Sequence, residues 1–171
     1  HAREIARRVF QIVADAEAKA HGVPAQEVHF HEVGAVDSIV DVVAAAVCLD
    51  DLDVQHVATT PLYEGQGSVR SQHGVLPVPV PAVANIVAAH GIPLAAGTRQ
   101  GEFVTPTGAA IVAAVRDRAT LPAAYVIEKV GLGAGKRAYD PPSVVRALVV
   151  REDDAAAPDD EDDWVWKLET D

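Results

Sequence analysis

Two side-chain periodicities meet at Gly34, and their junction constrains the fold more than any other feature of this 171-residue chain. Over residues 27–32 the reading is a strand, in which successive side chains alternate, so His29 and His31 share one face and Phe30 takes the other. Gly34 breaks the strand, and from Val36 the spacing becomes helical, with Asp37 and Asp41 four residues apart on one helix face. A strand that turns straight into an apolar helix calls for an α/β fold.

The remaining pattern continues the alternation. Residues 2–21 carry Ile5, Val9, Val13 and Ala16 on one helical face and close at His21-Gly22. The helix expected over 36–52 is rich enough in Ala and Val to be buried on most sides, with Cys48 in the core. Strands follow at 54–62 and 68–72, with Gly65 and Gly67 between them as a turn or bulge. A phosphate loop there lacks the third glycine that would open a helix. In Leu76-Pro77-Val78-Pro79-Val80-Pro81 the alternating prolines fix φ and remove donors, which predicts an extended edge, and Pro81 starts a helix over 82–90. Phe103-Val104 reads as a short strand, and a helix over 106–118 has Thr105 as N-cap and Pro106 in first position. Strands at 123–130 and 143–150 complete a mixed sheet with packed helices, a single main domain over 1–151. Residues 152–163 are an acidic linker without apolar period, expected to be disordered or exposed, and 164–170 read as a strand with two tryptophans.

Charge narrows the partners. Residues 1–150 carry 12 Lys or Arg against 15 acids, and residues 151–171 carry 2 against 10, so no basic face exists to hold a phosphate backbone. Nucleic acid is not an expected partner. The longest apolar run, 42–49, is far below the roughly twenty residues that span a bilayer, so no membrane segment is expected. A single cysteine excludes a disulfide framework and suits a reducing, cytoplasmic setting.

Three places carry chemistry. At the Gly34 corner, two imidazoles with Asp37 and Asp41 are the ligand mix of a borderline divalent metal such as zinc, nickel or iron(II). The same groups also suit a hydrogen-bonded corner without metal, since no CxxC or HExxH pattern decides the matter. His73, just before the rigid proline segment, is either a further ligand or a turn residue in water; His21, His56 and His90 read as structural. Thr105, Thr107 and Gly108 at a helix N-terminus could seat a phosphate or carboxylate, although capping alone explains Thr105 and Pro106. Gly131-Leu132-Gly133-Ala134-Gly135-Lys136-Arg137 is no P-loop, because Arg137 stands where Ser or Thr would hold magnesium. Gly133, Gly135, Lys136 and Arg137 form either an anion-binding nest or the turn of a hairpin.

Four segments in order, His-Phe-His-Glu-Val-Gly-Ala-Val-Asp-Ser-Ile-Val-Asp (29–41), Gly65-Gln66-Gly67-Ser68-Val69 with His73-Gly74-Val75-Leu76-Pro77-Val78-Pro79, Gly101 to Ala110, and Gly131 to Arg137, closely resemble the LarC-type nickel insertion proteins. Asp140 stands later than the acid that usually follows the last segment in that family. The resemblance implies a cyclometallase that inserts nickel into pyridinium-3,5-bisthiocarboxylic acid mononucleotide, making two nickel–sulfur bonds and one nickel–carbon bond. The product is the nickel-pincer cofactor of lactate racemase-type enzymes. It further implies a CTP-dependent reaction with magnesium or manganese, at a site outside this chain. On that plan the chain lacks the family's N-terminal segment, and residues 164–171 are the first strand of a truncated C-terminal domain. His29, His31, Asp37, Asp41 and His73 would handle metal, while the Thr105 and Gly133 segments would hold the nucleotide phosphate. Such a fragment is expected to be inactive alone. A lactate racemase-type client and a homo-oligomer are possible partners. The alternatives are a nickel or zinc metallochaperone or storage module without chemistry, and a domain whose His-rich corner is structural only.

Overall fold

The computed structural model describes residues 1–27, 36–71, 73–135 and 143–153, and the backbone of 164–170. The chain is mixed α/β, and it divides into two compact units whose segments interleave along the sequence.

The first unit comprises residues 1–52 and 63–115 and holds the four α-helices of the described residues. Helix α1 (Ala2–His21) turns Val9, Ile12, Val13 and Ala16 inward, as its spacing requires, and packs on α2 (Val36–Asp51), α3 (Pro81–His90) and α4 (Pro106–Val115). Facing them are Val42 and Ala46 of α2, Ala82, Val83 and Ile86 of α3, and a wall of small residues from Ala109 to Ala114 in α4. Small side chains let these helices approach closely, and Asn85 Nδ2 crosses to the Ala16 carbonyl at 3.1 Å. Helices α1 and α3 both end on a left-handed glycine, Gly22 and Gly91, after a histidine in the last turn.

Four short strands complete this unit. Strand β2 (Leu62–Gln66) pairs with β5 (Leu94–Gln100), and β3 (Ser68–Ser71) forms an antiparallel hairpin with β4 (Gly74–Pro77). Gly67, at φ 90°, makes the turn between β2 and β3.

The second unit, residues 53–62 and 116–171, is built on one mixed sheet in the order β1-β8-β7-β6. Strand β1 (His56–Thr59) lies parallel to β8 (Trp164–Thr170), β8 antiparallel to β7 (Val144–Glu152), and β7 antiparallel to β6 (Tyr125–Ala134). Ala58, Leu148 and Val150 are buried together, with Leu121 and Tyr125 packed on them. Asp117 ties β1 down: its Oδ1 accepts from the Val57 amide and its Oδ2 meets His56 Nδ1, each at 2.8 Å. Arg118 pairs with Glu152, so the segment after α4 is bound to both β1 and β7.

Several expectations are corrected. The strand expected over 54–62 is two strands in different sheets, parted at Thr60-Pro61 because proline has no N–H for a ladder. Strand β5 was not expected, since Ala95, Ala96 and Gly97 carry little strand propensity. Phe103-Val104 is irregular rather than strand, and α4 stops at Val115, three residues early. Helix α2 is not buried on most sides: Val36, Ile39, Val40, Val43 and Val47 are exposed, and so is Cys48. The expected linker lies outside the described residues from 154 to 163, and the strand expected at 27–32 lies outside them from 28 onward.

Candidate functional site

His29 and His31 fall outside the described residues, as do Lys136 and Arg137. Their companions can be placed. Asp37 and Asp41 lie one turn apart at the start of α2, both exposed, and Asp37 Oδ1 accepts from the Ser38 amide at 2.9 Å. Asp37 stands in the first turn, where the macrodipole favours negative charge, and Asp41 lies beyond it.

His73 occupies the turn between β3 and β4, where its amide donates to Ser71 Oγ at 3.0 Å. Its ring lies against that of His21, with centroids 4.8 Å apart and planes tilted by 60°. His21, read from sequence as a helix-end residue only, therefore joins the candidate set. Its Nε2 is 3.6 Å from Glu17 Oε2, one turn earlier in α1. Among the described residues no group of three or more His, Cys, Asp or Glu is arranged to hold a metal ion.

Thr105 caps α4 as its sequence predicts: Gly108 N donates to Thr105 Oγ1 at 3.2 Å and Ala109 N to Thr105 O at 2.9 Å. Pro106 has no N–H, so within the first turn the Thr107 amide is the donor that the cap leaves over. The amides just upstream are taken by a group that the sequence reading did not single out. Glu64, 2 % exposed on β2, accepts through one oxygen, Oε1, from Gly65 N at 2.9 Å, Phe103 N at 2.7 Å and Val104 N at 3.2 Å. Its Oε2 is buried with no hydrogen-bond partner among the described residues. Glu64 thus holds the approach to the α4 N-terminus in place. The sequence signal was faint: an acid at an inward position of a strand, directly before glycine.

Gly65 is close-packed rather than free. A Cβ there would run into the Gly101 carbonyl, with Phe103 Cδ2 at 2.8 Å and Arg99 O at 2.9 Å. Gly133 is the opposite case, since a Cβ would meet nothing within 4 Å. It sits in β6 opposite Val145, and Gly135 follows directly after the strand ends. The hairpin between β6 and β7 therefore carries the glycine segment on extended backbone up to Ala134.

Comparison with known proteins adds the following. A family model described as "Nickel insertion protein" matches residues 1–171. The chain is 56% identical over 148 residues to the pyridinium-3,5-bisthiocarboxylic acid mononucleotide nickel insertion protein of Alkaliphilus metalliredigens, covering 86% of this chain and 35% of that protein. Proteins of the same description from Clostridium kluyveri and Clostridium acetobutylicum are 45% and 44% identical, with 86% and 88% of this chain and 36% of each relative covered. The chain thus spans little more than a third of the length of these relatives. No solved structure matches it.

Proposed function

The chain belongs to the nickel insertion protein family, and on that footing we propose that it is the nickel-gathering part of a cyclometallase acting on pyridinium-3,5-bisthiocarboxylic acid mononucleotide. The observation that carries the reading is the 56% identity, over 148 residues, to a relative described as a nickel insertion protein for that compound, beside a nickel insertion family model that matches residues 1–171. Nickel here is substrate. Imidazole is a suitable carrier for it, because neutral nitrogen ligands bind nickel(II) firmly yet yield to the sulfur donors of the two incoming thiocarboxylates.

In this reading His29 and His31 collect the ion with His73, while Asp37 and Asp41 orient the imidazoles, as carboxylates commonly do for metal-bound histidine. Thr105, Thr107 and Gly108, or Gly133, Gly135, Lys136 and Arg137, hold the nucleotide phosphate. Closing a nickel–carbon bond displaces a ring proton, which the full protein must accept. The insertion would be CTP-dependent, with magnesium or manganese bound in the part of the protein outside this chain, and would take place in the cytoplasm. The product would be delivered to a lactate racemase-type client. This chain alone is expected not to turn over.

A second reading, a nickel or zinc metallochaperone module without chemistry, is favoured by one observation. The donors around the α4 N-terminus are largely taken by Thr105 and Glu64, which leaves little for a phosphate. Equilibrium binding of the mononucleotide to the chain separates the two readings. The metal assignment is tested by calorimetric titration of nickel into wild type and His31→Ala. Affinity is expected to fall more than tenfold, while the apo melting midpoint stays within a few degrees. Unchanged affinity with a strongly destabilised apo protein would retire it.

A further inference from the structure

We propose that His21 and His73 are two ligands of one nickel ion, a site formed between the last turn of α1 and the β3–β4 turn. This rests on the nickel-handling reading above and adds to it a ligand, His21, that the sequence alone assigns to helix capping.

The argument starts from ring geometry. A metal about 2.1 Å from each coordinating nitrogen sits about 3.2 Å from each imidazole centre, so centroids 4.8 Å apart correspond to a ligand–metal–ligand angle near 100°. That angle suits adjacent positions of tetrahedral or octahedral nickel(II), both of which are paramagnetic. The 60° tilt excludes flat stacking of the two rings, an arrangement in which both would turn their faces rather than their edges to a shared ion. Both residues come from rigid backbone. Gly22 ends α1 directly after His21 in the left-handed conformation, and the amide of His73 is tied to Ser71 Oγ. Glu17 Oε2 lies 3.6 Å from His21 Nε2, so a carboxylate stands beside the ring, as it commonly does for metal-bound imidazole. The two imidazoles fill two positions of the ion, and the others are left for the donors named above and for sulfur from the acceptor. A two-imidazole site of this kind is suited to passing an ion on rather than storing it.

The test uses the whole chain and nickel(II) alone. Titration calorimetry is carried out on wild type, His21→Gln, His73→Gln and the double variant, each checked by helix ellipticity for an intact apo fold. Each single substitution should weaken one nickel site at least tenfold, and the double variant should lose little beyond either single, because the two ligands share one ion. In parallel, substoichiometric nickel should broaden the imidazole resonances of both His21 and His73 in the wild-type protein, a measurement that needs no variant to fold. Nickel binding with the His21 resonance unbroadened, or with His21→Gln and His73→Gln effects that simply add, overturns this site and leaves the broader reading standing. Absence of nickel binding by the wild-type chain overturns both.

Discussion

Replacing Glu64 tests how the first unit is held together. Glu64→Ala removes the acceptor of three backbone N–H groups at 2.9, 2.7 and 3.2 Å, each of which loses its partner in a part-buried or buried setting. A stranded buried donor costs about 1–3 kcal/mol, and because three donors share one acceptor the sum is less than additive, so the expected loss is about 3–5 kcal/mol. That is a large share of the roughly 5–15 kcal/mol that stabilises a domain. Glu64→Gln keeps a carbonyl oxygen for the three donors and places an NH2 where Oε2 is buried without a partner among the described residues, which should cost only about 1–2 kcal/mol. The assay follows from the topology. All four described helices lie in the first unit, while both tryptophans belong to the second, so ellipticity at 222 nm and tryptophan fluorescence in a urea series report the units separately. The alanine variant should shift the helix transition strongly and the glutamine variant less. A loss under about 1 kcal/mol for Glu64→Ala, or a larger loss for glutamine than for alanine, would refute the hydrogen-bond account.

Two further outcomes follow from the glycines and the cysteine. Gly65→Ala, which drives a methyl into the Gly101 carbonyl, should cost about 3 kcal/mol or more in the helix transition, whereas Gly133→Ala should stay within about 0.5 kcal/mol of wild type. A fall in mononucleotide affinity for Gly133→Ala would then speak for the anion-binding loop, and an equal stability loss for both glycines would contradict the packing described. The Cys48 thiol, exposed on α2, should react with an aromatic disulfide reagent in the native protein. Labelling that waits for unfolding would return Cys48 to the core.

The helices were legible where one face alone is buried. The spacing of Val9, Val13 and Ala16 marks α1, and Thr105-Pro106 marks the start of α4 within a residue. Apolar content misled at α2, because Ala and Val fit a helix whether or not anything covers it, and exposure is a tertiary fact that no local period records. Strand β5 escaped notice because its partner β2, not its own Ala-Ala-Gly sequence, makes it a strand. The candidate ligands were visible by residue type, but the meeting of His21 with His73 joins positions that share no pattern, and Glu64 looked like any strand acid. Only the folded backbone brings the Phe103 and Val104 amides to it.

The pairing of β1 with β8 has a consequence for synthesis. His56 stands opposite Val165, so β1 leaves the ribosome about 110 residues ahead of the strand that completes its edge, and such distant pairings form slowly. The helical unit is complete once Val115 has emerged, and it can fold while the other sheet still waits for its last strand. In that interval the β1 edge that β8 will cover has open amides and carbonyls. A stall or truncation between residues 116 and 163 would leave an unpaired strand edge, a species prone to aggregation.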